Sequence, residues 1–307
     1  MGKVKRKIVQ HGNTSLTISL PISWARKFNL KKGDELDLKE KDKSLIISTD
    51  RAFQIGSAVL DISGFDEKTI VWYIQALYKS GYDEVKIIFG SHSQMNIIQK
   101  IMSYFIGYTI MEQRGNSCTI RSISQVIEQE FESALKRTFL VTISMADGTY
   151  EAIKNKDTES FHSLMIMEET NNQLVSFCHR LLNKHGYSSH SKTTSVYVIV
   201  SLLENIADNY RNMMKDIIEK DITLDYKEDI IEIFSDVNNL LRNFYSIFYK
   251  HENKKVVEMS SDVNNLFGKI MERLESSSRS EKYILYYLNS IRNLIGETTV
   301  NGLTLKL

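Results

Sequence analysis

Short apolar and polar steps alternate through the first fifty residues. Two such runs, residues 5–10 and 16–20, flank the turn-forming His11-Gly12-Asn13-Thr14 and predict a β-hairpin. Pro21, the only proline of the chain, stands where a helix over about residues 22–28 begins. Its fixed φ suits a first helical turn, and its missing N–H costs nothing there. Lys31-Lys32-Gly33-Asp34 reads as a turn, and two further strands follow near residues 35–39 and 44–48. A β-β-α-β-β unit of roughly 50 residues is too small and too open to bury a core alone. It is expected to borrow strands from a second copy.

Beyond Asp50 the pattern changes. Strands over residues 58–62 and 85–89 alternate with helices over 67–80 and 94–105, the first of these spaced through Ile70, Ile74 and Leu77. Residues 108–113 and 117–123 form a predicted hairpin around Arg114-Gly115-Asn116. This is a β-α-β-α-β-β segment without a phosphate-cradling glycine loop. From Ser124 onward apolar residues recur at three and four, which predicts six helices at about 124–154, 158–185, 190–221, 228–250, 253–276 and 279–296. Amphipathic helices of this length make an up-down bundle. Domains are expected at residues 1–50, 51–123 and 124–307.

Charge is distributed unevenly. Residues 1–32 carry eight Lys or Arg and no Asp or Glu, although the whole chain is close to neutral at +1. A basic end on a near-neutral protein suits a polyanion. Composition is otherwise that of an ordinary soluble protein, at 42% hydrophobic and 25% charged. No run of apolar residues is long enough to span a membrane, and the basic start lacks the apolar stretch of a secretory signal. Cys118 and Cys178 show no motif spacing, which fits a reducing cytoplasm. No nucleophile, base or cofactor pattern points to an enzyme.

Four elements carry a family likeness: Arg6-Lys7-Ile8-Val9-Gln10, Gly12-Asn13-Thr14, Ser19-Leu20-Pro21-Ile22-Ser23-Trp24-Ala25 and Lys31-Lys32-Gly33-Asp34. In order and spacing they resemble the AbrB/MazE/SpoVT swapped-hairpin family, most closely the version that precedes archaeal PhoU-like regulators. Ile22 departs from the lysine or other polar residue usual there. Tyr78-Lys79-Ser80-Gly81-Tyr82-Asp83 and Ile106-Gly107-Tyr108-Thr109-Ile110 look like the linking subdomain of the same proteins. The resemblance implies an α+β multidomain chain: a swapped-hairpin β-barrel formed as a dimer, a small linking subdomain, and a PhoU-like bundle of two three-helix repeats.

A faint duplication runs through the helical part. Glu168-Glu169-Thr170-Asn171-Asn172-Gln173-Leu174 resembles Ser260-Ser261-Asp262-Val263-Asn264-Asn265-Leu266, and Leu203-Glu204-Asn205-Ile206-Ala207-Asp208 resembles Leu288-Asn289-Ser290-Ile291-Arg292-Asn293. PhoU-like repeats carry acidic motifs at this spacing that bind metal in some members. Residues at i and i+4 share a helical face, so Glu204 and Asp208 pair, and Glu168 with Asn172 could face them. Such oxygens suit a divalent cation or Fe. In the second repeat Ser260, Asn264, Asn289 and Asn293 stand where acids would be. The simpler reading of the first repeat is a hydrogen-bonded polar seam. His179, His185 and His190 read as surface histidines, and Met165, Met167, Met213 and Met214 as core filler.

Two functions remain. In the first, the chain is a homodimeric regulator: Lys3, Lys5, Arg6, Lys7, Arg26 and Lys27 neutralise DNA phosphates, and Arg6, Lys7, Asn13 and Thr14 reach into a groove. The resemblance then implies a role in phosphate uptake or homeostasis. In the second, the front end only dimerises, and the bundle is a signalling adaptor for a transporter ATPase or kinase.

Overall fold

The computed structural model describes residues 5–41, 44–49, 56–123 and 128–307. The chain is mixed α+β, with strands toward its N-terminus and a helical C-terminal region. It divides into two compact units, Met1–Gln54 and Ile55–Leu307.

The first unit consists of two separate hairpins and one short helix. Strands β1 (Val9–His11) and β2 (Ser15–Thr17) pair antiparallel, with Gln10 opposite Leu16. Gly12 opens their turn at φ +67°, a conformation that a Cβ disfavours. Helix α1 (Ile22–Lys27) starts after Pro21, whose carbonyl accepts the N–H groups of Trp24 and Ala25. It closes where Asn29 turns left-handed at φ +52° and Leu30 N–H returns to the Ala25 carbonyl. The Asp34 carboxylate accepts the Lys31 N–H at 2.7 Å and holds the following turn. Strands β3 (Asp37–Lys41) and β4 (Ser44–Ser48) complete the unit as a second antiparallel pair.

Both strands of the first hairpin are shorter than the alternation predicts, and they lie at 9–11 and 15–17 rather than 5–10 and 16–20. The reason is the lack of partners. Among the described residues each sheet of this unit has two strands, and none of them extends the ladder over residues 5–8.

In the second unit a four-stranded sheet is built from β5 (Ala58–Asp61), β6 (Glu84–Ile88), β7 (Tyr108–Arg114) and β8 (Ser117–Ser122). The order is β5-β6-β8-β7, with β5 and β6 parallel and the other neighbours antiparallel. Helix α2 (Glu67–Lys79) connects β5 to β6, and α3 (His92–Met102) connects β6 to β7. Asp66 caps the first through the Thr69 N–H, and Ser91 caps the second through Gln94 N–H. The Gln94 amide reaches the Ile62 and Phe65 carbonyls, tying the start of α3 to the strand end beside it.

Six long helices follow: α4 (Glu128–Lys154), α5 (Ser160–His185), α6 (Thr193–Glu219), α7 (Glu228–Tyr249), α8 (Asn253–Glu275) and α9 (Arg279–Thr304). Helices α4, α5 and α6 pack against one another, as do α7, α8 and α9; the two sets meet along α6–α9 and α4–α7. The last helix runs eight residues further than the predicted end at Gly296. The helix continues through both Gly296 and Gly302; a side chain at Gly302 would crowd the Phe244 ring of α7 at 3.1 Å. Asn238, fully enclosed, donates to the Ala146 carbonyl at 2.8 Å and accepts from the Tyr210 hydroxyl at 2.7 Å. One amide thereby fixes α7 against α4 and α6.

Arg180 on α5 joins the bundle to the sheet layer. Its guanidinium is buried between the Tyr78 and Tyr108 rings, 5.1 and 4.8 Å from their centroids. It donates to the Tyr78 and Tyr82 carbonyls, the Tyr108 hydroxyl and the Asp83 carboxylate. Burial raises the phenol pKa of both tyrosines, so they stay neutral against the cation. Asn183 and Gln173 add bonds to the Lys79 and Ser103 carbonyls. Replacing Arg180→Met is expected to cost about 3 kcal/mol, the lower end for a buried pair, because Lys184 still faces Asp83. Equilibrium urea unfolding measures it, and a loss below about 1 kcal/mol would mean that apolar packing alone holds the layer.

Candidate nucleic-acid interface and the polar seam of the bundle

Two places carry the chemistry predicted from the sequence, one in each unit. In the first unit, Lys5, Arg6 and Lys7 precede β1, Asn13 and Thr14 form the β1–β2 turn, and Arg26 and Lys27 occupy the last turn of α1. All seven side chains are exposed, and no ion pair involves them among the described residues. Lys3 lies outside the described residues. The cations at the C-terminal end of α1 also face the negative pole of that helix. Lys27 lies over the Phe28 ring at 5.6 Å.

Apolar groups share this surface. Ile8, Val9, Leu16, Ile22 and Leu38 are each more than half exposed, Leu16 reaching 72%. Among the described residues of the unit only Ser48 and Thr49 are buried. The unit therefore has alternating strands without an inside for them to face. A groove of about 510 Å³ beside α1 is lined by Phe28, Leu30, Glu35 and Thr49 among others.

The second place is the seam between α5 and α6. Glu168 on α5 is 6% exposed; the Asn172 amide donates to one of its oxygens at 2.6 Å, and Arg211 of α6 lies 3.7 Å from the other. Asp208 of α6 lies beside the same carboxyl. Burial, with Asp208 adding to it, pushes Glu168 up to about 7 despite the Asn172 and Arg211 contacts. Burial also raises Glu204, against the opposing charge of Lys79 at the end of α2. The structure thus brings Glu168, Asn172 and Asp208 into one network, with Glu204 one turn away on α6.

The Glu168 oxygens are turned to an amide N–H, a guanidinium and a second carboxyl. Among the described residues no three His, Cys, Asp or Glu side chains gather closely enough to hold a metal ion. The Asn172 amide and the Arg211 guanidinium face the Glu168 carboxyl.

Further along the seam His179 is a correction to its reading as a surface group. It is enclosed, stacks on Tyr197 at 4.0 Å, and its Nε2 meets the Ser201 hydroxyl at 3.0 Å. Burial and Lys79 lower its pKa to about 4, so the ring stays neutral. Its place directly after the run Leu174–Cys178, followed two residues on by Leu181-Leu182, was the available signal, since a histidine flanked by such residues faces inward. Met213 and Met214 lie in the core as predicted.

Residues 9–53 match the family described as antidote-toxin recognition MazE, bacterial antitoxin. That likeness covers β1 through β4 and α1. Neither comparison with curated proteins nor comparison with solved structures returns a match.

The Glu168 shift has a consequence for stability. A carboxyl whose folded pKa lies above its ordinary value binds its proton better in the fold, so its contribution is complete below about pH 4.5 and is lost as pH rises through about 7. Glu168→Gln removes that titration. The variant should be more stable than the parent at pH 8 and should lose the pH slope between 5 and 7.5 seen in urea midpoints. An unchanged slope would show that Glu168 is ionised throughout.

Proposed function

We propose that this chain is a transcription regulator that binds DNA as a homodimer through its N-terminal unit. One observation carries the reading. Exposed aliphatic strands and unneutralised cations occupy the same fifty-residue end, which has almost no interior of its own. A second copy would give the apolar strand faces a partner and extend the ladder across residues 5–8. The same pairing would double the basic surface and match a two-stranded polyanion. The likeness of residues 9–53 to an antitoxin domain supports this, because domains of the MazE and AbrB type commonly bind DNA and dimerise.

In this reading Lys3, Lys5, Arg6, Lys7, Arg26 and Lys27 neutralise phosphates, while Asn13 and Thr14 at the hairpin tip reach base edges. The helical unit senses state or contacts a partner, and the likeness of its duplicated motifs to PhoU supports a role in phosphate homeostasis. Glu168, Asn172, Glu204 and Asp208 are its candidate switch, through proton uptake rather than metal.

Mobility-shift titrations between 50 and 200 mM salt test the DNA part. The parent should weaken steeply, and Arg6→Ala with Lys7→Ala, which removes two cations from each copy of the dimer, should lower the log–log salt slope by about 4. Sedimentation should show that this variant remains a dimer, whereas Leu16→Asp with Leu38→Asp dissociates. A parent chain that fails to bind DNA at any salt would replace this reading with that of a signalling adaptor.

A further inference from the structure

The second three-helix set contains a buried cation with no anion beside it. Arg292 on α9 is 6% exposed, yet no carboxylate lies within ion-pair distance among the described residues. Isolated buried charges are costly, so something must take the place of the counter-ion. Three neutral oxygens do. Nε and Nη2 donate to Asn289 Oδ1 at 3.2 and 3.1 Å, Nη1 donates to the Val263 carbonyl of α8 at 3.1 Å, and Nη2 also donates to Asn293 Oδ1. The Phe267 ring covers the guanidinium at 5.0 Å, adding a π face.

Amide and backbone carbonyl oxygens converging on one point, closed by an aromatic ring, make a cation site. We infer that the second three-helix set carries such a site already filled by its own Arg292, which shuts that seam to metal ions and leaves the α5–α6 seam as the bundle's place for a charged effector. The sequence supports the assignment from a separate direction. Asn289 and Asn293 are the positions that match Glu204 and Asp208 in the duplicated motif. Carboxylates there would need a positive partner, and amides need only a donor. With Arg292 supplying the positive charge inside the protein, an added divalent ion would meet like charge and no carboxylate. The two halves have thus diverged: α5–α6 holds three acids, while α8–α9 is closed by a guanidinium, a group whose charge persists across the physiological range. The effector corollary rests on the sensing role proposed for the bundle, but the filled site does not.

Chemical rescue tests the filled site on the full chain. Arg292→Gly should lower the thermal midpoint by several degrees. Millimolar methylguanidinium should restore most of that loss saturably, with equal sodium chloride ineffective. Absence of saturable recovery in a folded variant overturns the inference. If Arg292→Gly does not fold, the parent chain is dialysed against Mn²⁺ and, separately, Zn²⁺, and its retained metal measured beside Asn289→Ala and Asn293→Ala. Metal content unchanged by these substitutions supports a site closed to ions. Stoichiometric metal in the parent that is lost in either variant overturns it. Neither readout depends on DNA binding, so failure here and failure of the regulator reading remain separable.

Discussion

A single guanidinium decides how the sheet layer and the helices of the larger unit fit together. Once Arg180 is enclosed, its donors must find acceptors, because an unmet buried charge costs far more than a misplaced apolar contact. The acceptors come from the end of α2, the turn into β6 and the start of β7. Three segments must arrive together, and only one placement of the layer on α5 supplies them all. Apolar burial favours contact without dictating angle; the polar requirement adds the angle. The two segments that most resemble a linking subdomain, around Tyr78 and Tyr108, are the ones that grip this side chain.

Arginines mark a graded solution to one problem elsewhere in the unit. Arg180 has a carboxylate, two carbonyls and two aromatic faces, and Arg211 faces Glu168 at longer range. Arg292 has neutral oxygens and one ring. As the compensating charge weakens, the environment changes from a rigid anchor to a seam that titrates, and then to a closed plug. Asn238 performs the uncharged version of the same task between α7, α4 and α6. A long helical bundle is otherwise free to slide along its apolar ridges, and these enclosed polar groups set its register.

Much of this was legible in the chain. Apolar spacing located all six long helices, and turn chemistry located the hairpins, because both signals are local. The end of α9 was missed because the residues buried in its last turns, Thr298, Thr299 and Gly302, carry little apolar signal. The short first hairpin was missed because strand length depends on partners that one copy lacks. Arg180 and Tyr78 are 102 positions apart, and nothing in either neighbourhood announces the other. The seam was half legible: i, i+4 spacing paired Glu204 with Asp208, but the approach of Asp208 to Glu168 depends on an inter-helix distance that periodicity does not contain.

The aliphatic strands left bare on the N-terminal unit also set a scale for abundance. If pairing is what hides them, the paired species grows with the square of the free chain at low copy number. Control over a promoter would then switch on across a narrow range of expression. Lone chains, with Leu16 and Leu38 open to water, would be the ones that proteases clear first.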